Sequence, residues 1–204
     1  MTPQLIELAR REGRSHPTWE MALLYPDQGR WTVDEYLRLD IGRHVEFSEG
    51  ILEFQPMPNA EHQAIVFFLV SALRVFAGRE GGLALMAPLP MQLWKEKFRE
   101  PDVLFLLPAH VGRNKNKFFD GADLVMEVVS ENNRAHDLET KREEYARAGI
   151  PEYWIVDPQK DMIYVFKLKG KKYAVHGEFK KGQCATSPLL PGFEVEVKAA
   201  LGAK

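Results

Sequence analysis

The stretch LVMEVVS at residues 124–130 places one acidic side chain, Glu127, inside a run of apolar residues. A short apolar run of this kind predicts a buried β-strand. A buried carboxylate without a partner costs free energy or takes up a proton, so Glu127 needs a cation nearby. The sequence leaves two sources open for it: a bound metal ion, or a basic side chain from a covering helix.

A second apolar run lies upstream, where Pro101 and Asp102 precede VLFLL at residues 103–107. If the two predicted strands are neighbours in one sheet, Asp102 and Glu127 can share a hard cation. Mg²⁺ prefers carboxylate and water oxygens, and it keeps coordination positions free for a phosphate. The alternative is that Asp102 belongs to an ordinary turn, because Pro-Asp is common where strands begin.

A helix is predicted at residues 137–148, directly after the strand of Glu127. Lys141 lies three residues after Leu138 and four before Tyr145, so it shares their inward face. From there Lys141 could bind a phosphate, orient a water molecule or offset charge in a transition state. Alternatively, its ammonium reaches solvent or pairs with Asp137.

The other predicted elements flank this centre. They are a short helix capped by Thr32, a hairpin at 45–54 with Gly50 in its turn, a buried helix ending at Gly78, a bent or edge strand at 83–94, a strand at 153–156, a hairpin formed by 162–168 and 173–175, and a strand at 193–197. This order predicts an α/β fold in which helices cover a mixed sheet, with extra hairpins on both sides.

Composition limits the class of protein. With 204 residues, we expect one domain at residues 31–204 after an N-terminal extension at 1–30. The net charge of -2 lacks the basic excess typical of nucleic-acid binders. The single cysteine, Cys184, fits a reducing cytoplasm. No signal peptide is apparent, and no stretch approaches the roughly 20 apolar residues that span a bilayer, so we expect no membrane contact.

Other candidate residues are less well defined by pattern. Glu46 and Glu49 flank the first hairpin turn, and the residues alone do not distinguish between them. His62, near the start of the buried helix, could contact substrate or a metal-bound water, or it could simply be a hydrogen-bonded helix-terminal residue. Two basic patches could contact a substrate or be solvated; they comprise Lys95, Lys97 and Arg99, and then Arg113, Lys115 and Lys117.

Two motifs resemble the PD-(D/E)XK nuclease superfamily: Pro101-Asp102, and EVVS at residues 127–130. The usual lysine two residues after the second acid is replaced by Val129. DLETKREEY at 137–145 and EYWIVD at 152–157 then resemble the Uma-type restriction endonuclease family of bacteria, formerly a domain of unknown function. The resemblance extends over residues 31–198 and implies a restriction-endonuclease-like core with a mixed β-sheet flanked by helices.

The resemblance also implies a function. A metal-dependent endonuclease would hydrolyse phosphodiester bonds, with DNA as the expected substrate and Mg²⁺ or Mn²⁺ as cofactor. Lys141 would replace the missing strand lysine, and Glu46 would complete the site. The implied metal ligands are Asp102, Glu127, the carbonyl of Val128 and Glu46, and the implied substrate contacts are His62, Lys95, Arg113 and Lys115. A homodimer is expected.

Two other functions fit the same residues. A catalytically silent DNA-binding or accessory protein could keep the fold without activity. A hydrolase could use Asp102 and Glu127 without metal, as glycosidases use their two carboxylates.

Overall fold

A computed structural model of the protein describes residues 25–39, 44–130 and 139–204. Its helices are α1 (Val33–Tyr36), α2 (Ala60–Glu80), α3 (Lys141–Ala148) and α4 (Val197–Leu201). Its strands are β1 (Val45–Ser48), β2 (Ile51–Phe54), β3 (Leu83–Met86), β4 (Met91–Trp94), β5 (Lys97–Arg99), β6 (Val103–Leu106), β7 (Phe119–Asp120), β8 (Leu124–Val128), β9 (Glu152–Asp157), β10 (Met162–Lys169), β11 (Lys172–Lys180), β12 (Cys184–Thr186) and β13 (Glu194–Glu196).

The central sheet has six strands in the order β11-β10-β9-β8-β6-β3. The pair β8 and β9 is parallel and the other neighbours are antiparallel, so the sheet is mixed, as predicted. Strands β6 and β8 are neighbours, with Val103 opposite Met126. Asp102 and Glu127 each adjoin this residue pair in sequence, so the fold brings both carboxylates to the same end of the sheet.

Alternate residues of this sheet face two different cores, as the strand period of two requires. Met126, Val128 and Trp154 pack with the buried side of α2. Val125 and Val129 pack on the other face, together with Tyr145 of α3. Glu127 shares its face with Val125 and Val129, and therefore points towards α3.

A second sheet, with the order β2-β1-β5-β4-β7, carries Glu46 on β1. Here the prediction of one bent or edge strand at 83–94 was wrong in treating the stretch as a single strand, although β3 does lie at an edge of its sheet. β3 pairs in the six-stranded sheet, whereas β4 pairs in the second sheet. Pro88 and Pro90 lie between them, and because proline has no N–H to donate, the chain leaves one ladder before it joins the next.

Helix α2 differs from its prediction in two respects. It continues past Gly78 to Glu80 and ends at Gly81, whose φ of 83° suits a glycine. The expectation of a buried helix is correct for one side of it only. Phe67 and Val75 are 64% and 61% exposed, because only one side of α2 packs on the sheet.

The apolar character of α2 also corrects the statement that no stretch is long enough to cross a bilayer. Among the described residues, this one helix qualifies by length and composition, with 21 residues and a mean hydropathy of 1.4. Core helices pass the same test, and Ile65, Leu69 and Leu73 of α2 are fully buried in the core of the protein. The feature is therefore weak evidence for a membrane span.

The hairpin turn between β1 and β2 packs closely against the chain before α1. Gly50 has a φ of 85°, and a Cβ at this position would lie 2.8 Å from the carbonyl carbon and oxygen of Gly29. The carbonyl of Gly50 also accepts hydrogen bonds from the amides of Gly29 and Trp31, at 2.8 and 3.2 Å. Residues 25–30 of the predicted extension thus pack on this hairpin, whereas residues 1–24 lie outside the described part.

Gly50→Ala should therefore destabilise the protein by roughly 1–3 kcal/mol, because it adds both an unfavourable φ and a backbone clash. Urea unfolding measures the loss. Gly170→Ala is the matched control, since Gly170 also has a positive φ, 64°, but a Cβ there meets nothing within 4 Å. Equal losses at the two positions would contradict the close contact with Gly29.

Candidate active site

Asp102 joins three elements at one end of the central sheet. Its Oδ2 accepts a hydrogen bond from the amide of Val128 at 2.8 Å and lies 3.2 Å from Nε2 of His62 on α2. Burial raises the pKa of Asp102, but the hydrogen bond and charge of His62 lower it more, so the net shift is downward. The carboxylate is therefore ionised, and the described residues donate no hydrogen bond to its Oδ1.

His62 is the partner that holds this charge. Burial lowers its pKa, whereas the hydrogen bond to Asp102 and the charge of that residue raise it, so the net shift is upward. The Nδ1 atom of His62 is buried and has no hydrogen-bond partner among the described residues. His62 thus lies beside Asp102, a predicted metal ligand. Its contact with substrate or with a metal-bound water stays a prediction.

Glu127 is 2% exposed and contacts two residues of α3. Its Oε2 lies 2.8 Å from Nζ of Lys141, and its Oε1 accepts a hydrogen bond from the hydroxyl of Tyr145 at 2.5 Å. Lys141 and Tyr145 are one helical turn apart, so they reach the two oxygens of one carboxylate. The inward orientation of Lys141 agrees with the helical spacing, whereas the alternative partner, Asp137, lies outside the described residues.

Glu46 reaches the same place from the second sheet and is fully buried. Its Oε2 accepts hydrogen bonds from Arg99 and, at 2.8 Å, from the amide of Gln55. Its Oε1 accepts one from the amide of Glu100 at 3.2 Å and lies 4.0 Å from Nζ of Lys141. Lys141 therefore lies between the carboxylates of Glu46 and Glu127.

These side chains line one cleft of about 320 Å³, which also includes His62 and the backbone of Val128. The four residues predicted as catalytic, Glu46, Asp102, Glu127 and Lys141, are all in its wall. A concave site with converging charged groups is the usual place for chemistry. The structure thus brings together residues that the sequence spreads over nearly 100 positions.

The donor set fits a hard divalent cation. Asp102, Glu127 and the carbonyl of Val128 offer oxygen atoms, the ligands that Mg²⁺ and Mn²⁺ prefer. Within residues 25–39, 44–130 and 139–204, no group of three or more His, Cys, Asp or Glu side chains has a metal-binding arrangement. Mg²⁺ commonly takes one or two carboxylates and keeps water for its other positions, so the protein supplies a sufficient but incomplete shell.

Three residues predicted to bind substrate lie elsewhere. Lys95 is exposed in the turn between β4 and β5. Nη1 of Arg113 lies 3.4 Å from the buried carboxylate of Asp123, and Lys115 donates to the carbonyl of Gly112 at 3.2 Å. The structure does not bring them to the cleft, and their contact with substrate stays a prediction.

Lys97 and Arg99 were expected in an exposed basic patch, which was wrong: they are 3% and 1% exposed. Nε of Arg99 donates to Glu144 at 2.6 Å, and its Nη1 donates to Glu53 at 2.5 Å. Lys97 lies 3.0 Å from Glu144. These acids lie on β2 and α3, which are distant in sequence from β5. Near Lys97 and Arg99, only the alternation of charged and apolar residues through Phe98 indicated a strand.

Glu100 lines the cleft beside Glu46 and gives a prediction about pH. Burial, and then the charge of Glu46, raise the pKa of Glu100 to about 8 from a usual 4.5. Between pH 4.5 and about 8, Glu100 is therefore protonated in the folded protein but ionised in the unfolded chain. The free energy of unfolding should fall as pH rises through this range. Glu100→Gln should remove this loss and stabilise the protein at pH 8.5 by roughly 1–3 kcal/mol.

Urea unfolding at pH 5 and pH 8.5 measures the difference. Glutamine keeps the oxygen that accepts from the amide of Val45 at 3.2 Å, so the backbone contact should survive. Variant and wild type that lose stability equally between the two pH values would contradict a raised pKa at Glu100.

One solved structure similar to the chain is that of a protein described as a "putative nuclease belonging to DUF820", from Anabaena variabilis ATCC 29413. The two chains share 18% identity with a TM-score of 0.69, over 84% of this chain and 98% of the other. At this identity the similarity supports the fold, a mixed α/β architecture with sheets flanked by helices. No curated protein matches the sequence.

The model of one protein family matches residues 33–198, which include every residue of the Asp102, Glu127 and Lys141 set. That family is described as "Putative restriction endonuclease", and the match covers most of the chain. It supports a nuclease function and agrees with the resemblance seen in the sequence. On this evidence the chain belongs to the Uma2 family.

Proposed function

We propose that this protein is a metal-dependent endonuclease that hydrolyses phosphodiester bonds in DNA. The observation that carries the proposal is the ion pair of Lys141 and Glu127 at 2.8 Å, next to Asp102 in the wall of the cleft. Two acids can hold a divalent cation and a lysine can offset the charge that develops on the phosphate, so this set is suited to phosphodiester cleavage. Family membership supports the same reaction class.

Each residue has a separable part in this proposal. Asp102, Glu127 and the carbonyl of Val128 would hold Mg²⁺ or Mn²⁺. When bound, such a cation polarises a phosphoryl oxygen and offsets negative charge in the transition state. Lys141 donates to a non-bridging phosphate oxygen, where its charge is most useful as the phosphorus gains a fifth substituent. Tyr145 fixes the Glu127 carboxylate, and His62 fixes that of Asp102.

The charged groups around the carboxylates of Asp102 and Glu127 disfavour the glycosidase alternative. That mechanism needs one protonated and one ionised carboxyl group. Here His62 keeps the pKa of Asp102 below its ordinary value, and the ammonium of Lys141 stabilises the ionised form of Glu127. Asp102 is therefore not suited to be a general acid at neutral pH.

The test is cleavage of supercoiled plasmid, single-stranded DNA and single-stranded RNA by the purified chain, with Mg²⁺, Mn²⁺ or EDTA. We expect DNA cleavage with either metal and none in EDTA. Full activity in EDTA would contradict metal dependence, and cleavage of RNA alone would contradict the proposed substrate. A protein that takes up Mn²⁺ in calorimetry but binds DNA without cutting it would be the silent alternative.

A further inference from the structure

Glu46 is an acid of the cleft that accepts several hydrogen bonds from the chain itself. An ionised carboxylate has about four positions at which it can accept hydrogen bonds. Glu46 receives hydrogen bonds from Arg99, from Gln55 at 2.8 Å and from the Glu100 amide at 3.2 Å. The ammonium of Lys141 lies 4.0 Å from Oε1. The chain itself thus supplies hydrogen bonds for about three of the four positions on Glu46, one of them from a charged guanidinium.

Asp102 shows the opposite arrangement. Both of its contacts, from the Val128 amide and His62, go to Oδ2, and the described residues leave Oδ1 without a hydrogen bond. A metal ligand needs an accessible oxygen lone pair; the part of the chain that the structure describes leaves one whole oxygen of Asp102 open for it, whereas both oxygens of Glu46 accept hydrogen bonds. The two acids therefore differ in what they can bind, although they line the same cleft.

Arg99 explains why Glu46 keeps its orientation. The guanidinium is 1% exposed and contacts three acids: Glu46, Glu53 and Glu144. Burial lowers the pKa of Arg99, but the surrounding carboxylates raise it further, so the group stays charged. Because Arg99 also pairs with Glu144 on α3, it fixes the carboxylate of Glu46 relative to α3, the helix that carries Lys141.

We infer that Glu46, held by Arg99, is a positioning residue that keeps the ammonium of Lys141 between two carboxylates and does not bind the metal ion. The inference rests on the proposed nuclease function. It differs from the role that the family resemblance implies for Glu46, and the two roles make opposite predictions about metal affinity. A metal ligand lost to substitution lowers the affinity for the ion, whereas a residue that positions Lys141 affects the reaction.

The decisive variant is Glu46→Gln, which keeps the size of the side chain and removes its charge. We expect its Kd for Mn²⁺, by calorimetry, to stay within about 3-fold of wild type, and kcat to fall by about 10–100-fold with KM little changed. A Kd raised more than about 10-fold would overturn the inference, because Glu46 would then help to hold the metal ion, directly or as an outer-shell partner. An unchanged kcat would overturn it too.

Glu53→Gln is the matched control. Glu53 lies directly opposite Glu46 in the strand register and contacts the same Arg99, but it neither lines the cleft nor pairs with Lys141. It should leave kcat within about 3-fold, because surface-accessible partners of an ion-pair network contribute little individually. A loss equal to that of Glu46→Gln would mean that the network acts only on stability, and would overturn the specific role of Glu46.

One further measurement is independent of cleavage. The amine of Lys141 should react faster with an acylating reagent in Glu46→Gln than in wild type, as quantified by mass spectrometry of the peptide that contains it. Its reactivity should not change in Glu53→Gln. If the wild type cuts no substrate, the proposed function fails, while this labelling still decides the positioning role. Equal labelling of Lys141 in wild type and Glu46→Gln would overturn it.

Discussion

Replacing Lys141 by methionine is expected to lower kcat for DNA cleavage by about 100- to 1000-fold, the effect typical of removing one donor to transition-state charge. Lys141 is 6% exposed, and its ammonium lies 2.8 Å from Glu127 on the wall of the cleft. Methionine has a similar length and fills the same space without the charge. The measurement is single-turnover cleavage of a labelled DNA, which separates the chemical step from binding and product release.

The substitution also affects folding, and the experiment must separate this effect from catalysis. Without Lys141, Glu127 keeps the hydrogen bond from Tyr145 but loses its ion pair with the lysine ammonium. Breaking a buried ion pair costs roughly 3–5 kcal/mol. Adding Glu127→Gln removes the uncompensated charge, so the double variant should regain stability in urea unfolding. It should not regain cleavage, because neither the lysine nor the acid is restored.

Lys97→Met supplies the matched control. Lys97 is also buried, at 3% exposure, and also pairs with acids, Glu53 and Glu144, but none of these three residues lines the cleft. We expect a comparable loss of stability with cleavage within a few-fold of wild type. If both lysine variants lose cleavage in proportion to their loss of stability, Lys141 has a structural role only, and the proposed chemistry is wrong.

Local patterns in the sequence predicted where three side chains of the cleft lie; their roles stay predictions. Glu127 stood out as a charged residue inside an apolar strand. Asp102 stood out because it directly precedes the other apolar strand, upstream in the chain. The spacing of α3 predicted that Lys141 points inward, which it does. Each of these predictions depended on a few neighbouring residues, because the periods of helix and strand decide which way a side chain faces.

Predictions failed where burial depends on partners that are distant in sequence. Lys97 and Arg99 look like a solvated basic patch, and nothing near them shows that Glu46, Glu53 and Glu144 will surround them. The choice between Glu46 and Glu49 was open for the same reason. The strand register directs Glu46 inward, opposite Glu53, whereas Glu49 lies exposed in the turn with a φ of 49°.

Strand 83–94 shows a third kind of failure. Its apolar residues satisfy a strand pattern throughout, but the two prolines make it change sheets. After this change of sheet, β4 pairs with β5, the strand that carries Arg99. The pattern did not reveal this boundary, and the arginine that contacts Glu46 lies beyond it.

Asp102→Asn is expected to weaken Mn²⁺ binding by more than about 100-fold, beyond the range of outer-shell substitutions, and to lower kcat by about 1000-fold. Asparagine keeps an oxygen that can accept from the Val128 amide, now 2.8 Å away, so the link between β6 and β8 should survive. Asparagine lacks the negative charge that would bind a cation and that pairs with His62. Calorimetry with Mn²⁺ measures the first effect and single-turnover cleavage the second.

Asp123→Asn is the control for this change. Asp123 is a buried aspartate that precedes β8, where it accepts from the Leu107 amide and pairs with His110, both at 2.8 Å, but it does not line the cleft. Its loss should destabilise the fold and leave the Mn²⁺ affinity unchanged. The two aspartates differ in access to the cleft and not in residue type. If both variants lost Mn²⁺ binding, the binding would depend on the stability of the sheet, and Asp102 would not be a ligand of the ion.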